Sequence, residues 1–83
     1  MSRLDKQRDK IMDKVVGTHF HTKGYRASAE YLAGKILGIK VYQRDLAEKY
    51  LISEQTIRNN IKKLLKNKYF EDYEIKWQKK KRK

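Results

Sequence analysis

The chain has no cysteine, no proline, one tryptophan and only four glycines in 83 residues. Without cysteine, neither a disulfide nor a thiolate zinc site can support so short a chain, and the redox compartment leaves no mark. The absence of proline and cysteine beside abundant Lys, Ile and Tyr suits a heat-adapted or AT-rich source. No apolar run approaches the roughly 20 residues that span a bilayer. The start is basic and polar, unlike a signal peptide. A soluble intracellular protein with no membrane partner is expected, cytoplasmic and associated with the nucleoid if it binds DNA. The signatures of catalysis are missing too: no Gly-rich phosphate loop, no G-x-S-x-G, no thiol nucleophile and no acidic constellation for magnesium. Glu71, Asp72 and Glu74 form the only acidic group and read as a solvated bend. No enzyme and no cofactor are expected.

Acid is scarce throughout. Ten Asp and Glu face 22 Lys and Arg, a formal charge of +12. Such an excess concentrates polyanions around the protein and favours a nucleic acid as partner, without choosing DNA over RNA. At this length one domain with a modest core is expected. The divisions are a helical domain over 1–67, an aromatic extension over 68–77 and a basic tail over 78–83.

Hydrophobic spacing predicts an all-α protein of four to five helices. Residues 2–16 read as a first helix, with Ser2 as cap, Asp5 in the first turn and Gly17 as stop. Leu4, Ile11, Met12, Val15 and Val16 lie along or near one side. Thr18 to Lys23 reads equally as a kinked continuation or a loop, with a turn at Lys23-Gly24. A second helix is predicted from about Arg26 to Leu37, where Ala29, Leu32, Ala33 and Ile36 make an i, i+3, i+4, i+7 stripe. Gly38 is its left-handed terminator.

The stretch Val41 to Asn67 then reads as two short helices across a tight turn, a helix-turn-helix. Leu46, Ala47 and Tyr50 supply the inward side of the first. Ser53 is placed to cap the second by accepting from the N–H of Gln55 or Thr56. Thr56 stands where a reciprocal capping box wants Glu or Gln, so the cap is single. Ile57, Ile61, Leu64 and Leu65 mark the buried stripe, which at roughly 100° per residue turns Gln55, Arg58, Asn59, Lys62 and Lys66 outward.

After Asn67, Tyr69, Phe70, Tyr73 and Trp77 share a helical face, while Tyr73, Ile75 and Trp77 also alternate as in a strand. A short wing and a further packing helix both fit, and the helical chain before them favours the helix. The last eight residues, KWQKKKRK, hold six positive charges and no negative one. Such a run repels itself until it meets an anion. His19 and His21 form an H-x-H pair without a third ligand near in sequence, so no metal site is expected.

The block Tyr25 to Leu64 resembles the second cyclin-like repeat of the transcription factor B family. AEYLAGKILGI ends a small-residue helix, YQRDLAEKY opens the next from Gln-Arg, and ISEQTIRNNIKKL supplies the third. The segment Ser-Glu-x-Thr-Ile-Arg-Asn is close to that family's recognition helix. Leu51 departs from the pattern, standing in the turn where the family prefers Gly, and the zinc ribbon and the other repeat are missing. The resemblance implies a cyclin-like helical fold whose recognition helix reads a promoter element in the major groove, with a transcription-machinery partner.

Carried over by position, the base-reading residues are Gln55 and Arg58, with Thr56 near the backbone. The outward face also offers Asn59. Gln and Asn can pair with adenine and Arg with guanine. Lys62, Lys63 and Lys66 suit phosphates, as do Gln43 and Arg44 at the preceding helix start and Ser53 at the cap. Lys79, Lys80, Lys81, Arg82 and Lys83 would add sequence-independent phosphate affinity. The expected function is sequence-specific binding of double-stranded DNA, as a transcription regulator or an initiation-factor-like accessory. An RNA-binding or ribosome-associated protein, or a protein-interaction module, is the alternative. A homodimer would read two half-sites about 34 Å apart.

Overall fold

A computed structural model describes residues 2–17 and 22–72. Every regular element among them is helical: α1 (Arg3–Ile11), α2 (Lys23–Leu37), α3 (Gln43–Tyr50) and α4 (Glu54–Leu64). A π-helical turn (Met12–Val16) extends α1, and a 3-10 turn (Lys68–Asp72) follows α4.

Helix α2 is the element the others pack on, since α1, α3 and α4 all lie against it. Its small residues make this possible. Ala27, Ala29, Leu32 and Ala33 are fully buried, and around them lie Ile11 and Met12, Leu46, Ile57, Ile61 and Leu64. Phe70 adds a lid at the end of the described chain, edge-on to Tyr69 at 5.2 Å between ring centroids. Gln7 of α1 donates to the Tyr69 hydroxyl (3.0 Å), which ties the two ends of the described chain together.

Caps explain where α1, α2 and α4 begin. The hydroxyls of Ser2, Thr22 and Ser53 accept from the N–H groups of Asp5 (3.1 Å), Tyr25 (3.3 Å) and Thr56 (3.1 Å). Each satisfies a donor that has no partner within its helix. Positive-φ reversals explain where the π-helical turn, α2 and α3 end. Gly17 stops the π-helical turn at φ 81°, with its N–H on the Met12 carbonyl at 2.8 Å. Helices α2 and α3 finish in the same way as each other. A left-handed residue follows the last turn, and the next N–H reaches back five residues, Ile39 to Gly34 (2.9 Å) and Ile52 to Ala47 (3.0 Å). In α2 that residue is Gly38; in α3 it is Leu51, at φ 58°.

The sequence expectations need one correction and one refinement. Helix α2 starts at Lys23, not near Arg26, so Lys23-Gly24 lies in its first turn and is not a turn between elements. Gly24 is there because α4 crosses close by: a Cβ would run into the Asn60 amide and come within 3.2 Å of the Thr56 methyl. Helical structure does run to Val16 as expected, but its last turn is widened to π geometry. The described part of the aromatic extension, up to Asp72, is helical. Tyr73, Glu74, Ile75 and Trp77, the basic tail and the His19/His21 pair lie outside the described residues.

Candidate nucleic-acid interface

The stretch expected to form a helix-turn-helix comprises α3, the link 51–53 and α4. Its second helix is oriented by what it buries. Ile57 (0% exposed), Ile61 (3%) and Leu64 (4%) face the core, and Leu65 is half-buried. A polar contact refines that orientation. The buried Ser28 hydroxyl of α2 lies 2.8 Å from the Gly24 carbonyl and 3.0 Å from the Ile57 carbonyl, so it joins α2 to α4 at mid-helix.

With that side inward, Gln55, Arg58, Asn59, Lys62, Lys63 and Lys66 are all exposed, on a helix whose apolar and polar residues are cleanly divided. Three of them form a connected array with α3. Arg58 donates to the side-chain amide oxygen (Oε1) of Gln43 at 3.2 Å and to that of Gln55 at 3.4 Å. Gln55 in turn donates to Asn59 at 3.0 Å. Glu54 lies 3.7 Å from Arg58, an exposed i, i+4 pair. The structure therefore brings together Gln43, Gln55, Arg58 and Asn59, amide and guanidinium groups able to exchange their mutual hydrogen bonds for those of a ligand.

The other expected site residues are placed differently. Lys62, Lys63 and Lys66 continue the exposed side toward the C-terminal end of α4. Arg44 is exposed at the start of α3. The Ser53 and Thr56 hydroxyls are exposed but already engaged with each other (2.9 Å) and with the cap, so they serve the helix first. Lys79 to Lys83 lie outside the described residues. Among the described residues no group of three or more His, Cys, Asp and Glu is placed to hold a metal. No helix among them is long and apolar enough to cross a membrane.

A buried ionic cluster, not evident in the sequence, holds the frame behind this face. Glu30 of α2 is 4% exposed. It accepts from the Tyr50 hydroxyl (2.7 Å), from Lys49 (3.0 Å to each oxygen) and from Arg8 (3.4 Å), joining α1, α2 and α3. Burial raises the Tyr50 pKa above its ordinary value, and the hydrogen bond it donates to Glu30 raises it further. Burial alone would lower the Arg8 pKa, but the hydrogen bond to Asp9 and nearby negative charge outweigh it, so Arg8 remains a fixed cation. A lone Glu between Ala29 and Tyr31 gives no sequence signal of such a cluster, because its three partners come from distant turns.

The described residues thus form an all-α structure of four α-helices, in which α3 and α4, joined by a three-residue link, carry an outward amide- and cation-bearing face. Comparison with protein-family models, with curated proteins and with solved structures finds no match to the chain.

Proposed function

We propose that this protein binds double-stranded DNA in a sequence-specific way through α3 and α4, as a transcription regulator or an initiation-factor-like accessory. One observation carries the reading. Helix α4 buries Ile57, Ile61 and Leu64 and leaves Gln55, Arg58 and Asn59 as an interlinked exposed array. Residues near the start of a helix lying in the major groove reach base edges, and these three types match the donor and acceptor patterns of purines there. Lys62, Lys63, Lys66 and Arg44 flank the array and suit phosphates, which fix register without carrying sequence. The +12 charge supplies the long-range attraction.

Competition binding at fixed salt tests this. Duplex DNA should displace a labelled DNA probe at lower concentration than duplex RNA of the same length, because the A-form major groove is too deep and narrow to admit α4. Equal or stronger competition by duplex RNA would overturn the reading in favour of an RNA-binding protein.

A further inference from the structure

Beside the helix-turn-helix lies a groove of whose lining the proposed function uses only the edge at α3 and α4. The C-terminal half of α2, the link Ile39–Tyr42 and the starts of α3 and α4 border an open cleft of about 830 Å³. Its shape depends on Gly34, where a Cβ would stand 2.9 Å from the Ile39 carbonyl oxygen and against Val41. Ile39 (39% exposed) and Tyr42 (58%) lie along it, two of the three large apolar side chains left exposed among the described residues. Three cations, Lys35, Lys40 and Arg44, line it against one carboxylate, Glu54. Lys35 sits 5.3 Å over the Tyr31 ring, while Lys40 and Arg44 have no ion-pair partner among the described residues.

A solvated aromatic ring beside unpaired cations suits a nucleic-acid strand. Phosphates neutralise the cations, and a sugar of the same strand covers the ring. Continuity points the same way, since Arg44, Gln43 and Glu54 belong both to this cleft and to the helix-turn-helix. A strand passing under α4 would be led into the cleft. The chain's own terminal run, KWQKKKRK, has the wrong sign of charge to be its occupant.

We infer that the cleft is a second nucleic-acid subsite, which takes the sugar–phosphate strand flanking the bases under α4 and packs a deoxyribose against Tyr42. This rests on the DNA reading. Its consequence is an asymmetric footprint. Base pairs beyond those reached by α4 add affinity on the side of the cleft alone.

The test is fluorescence anisotropy of the full chain with a duplex of about 12 base pairs and with the same duplex extended by about eight on either side. Extension on one side should tighten wild-type binding about tenfold, and extension on the other should not. The Lys35→Ala/Lys40→Ala variant should lose that gain while binding the short duplex within about threefold of wild type. Tyr42→Ala should weaken the extended complex by about fivefold or more, with Tyr42→Phe restoring it. Circular dichroism checks that each variant is folded. The inference is overturned if the gain survives the double lysine variant, or if both duplexes weaken equally. It is also overturned if a polyglutamate peptide occupies the cleft in preference to DNA, which would make it a protein-docking surface. Failure of the DNA reading looks different, because wild type would then not bind the short duplex or Arg58→Ala would leave its binding unchanged. A normal Arg58 effect without any flank effect removes the cleft alone.

Discussion

The Arg58 guanidinium is shared among Gln43, Gln55 and Glu54, so any ligand that took it would have to displace at least one of them. The distances of 3.2, 3.4 and 3.7 Å are long for such pairs, and all four side chains are exposed or half-buried. Exchange with a ligand is therefore cheap, while the array keeps the side chains near the geometry in which they would act. Leu51 is the other informative single residue. It adopts the left-handed conformation that Gly38 adopts at the end of α2, yet it is 80% exposed and packs against little. For a residue with a Cβ that conformation costs about 1–2 kcal/mol, and no burial offsets the cost. Leu51→Gly, or Leu51→Asn, should stabilise the fold by about 0.5–1 kcal/mol, read from the midpoint of urea unfolding. A destabilised variant would mean that the exposed leucine has a packing role in the turn.

At the scale of elements, what was legible in the sequence is what has a local cause. Ser2 and Ser53 announce their helices because capping acts over three residues. The stripe Ile57, Ile61, Leu64 announces the inward side of α4 because burial recurs at the helical period. The start of α2 was not legible. Gly24 usually breaks a helix, and only the approach of Asn60 and Thr56 from a later element explains its use inside one. The cluster on Glu30 was hidden for the same reason, since its partners are far away in sequence. That cluster makes a prediction for the helix frame. Removing Glu30 leaves the Tyr50 hydroxyl and part of the Arg8 charge unpaired, though Arg8 keeps Asp5 and Asp9 and Lys49 is half exposed. Glu30→Ala should therefore cost about 2–3 kcal/mol in chemical unfolding. The pH dependence has a defined sign. The Tyr50 pKa is raised in the folded state, so its contribution is fully present below about pH 10 and is lost as pH rises through the higher folded value. Tyr50→Phe should lower stability at neutral pH and make its decline above about pH 10 shallower than in wild type. An unchanged alkaline slope would show that the phenol does not sense the buried carboxylate.

For the molecule as a whole, charge and fold do separate jobs. The four described helices set which of their groups face outward, and the +12 excess sets how strongly any polyanion is drawn in. The candidate face was legible in the sequence for the same reason as the core, because a helix with one side buried must present the other. What was not legible is the partnership of Gln43 with Arg58 across the turn, and the cleft behind it, both of which need α2 and α3 in place. The terminal basic run offers a separable test of the electrostatic part. Deleting Lys79 to Lys83 should weaken binding to all duplex sequences alike and reduce the slope of log affinity against log salt by about one for each phosphate no longer neutralised. A deletion that altered base preference would contradict that division. The reading of bases itself stands or falls on selection from a random duplex pool with wild type and with Arg58→Ala in parallel. Wild type should enrich a defined motif, and Arg58→Ala should bind that motif about 1–3 kcal/mol more weakly while relaxing the choice at one position. Enrichment of no motif by wild type, or of the same motif by Arg58→Ala, would contradict base reading by α4.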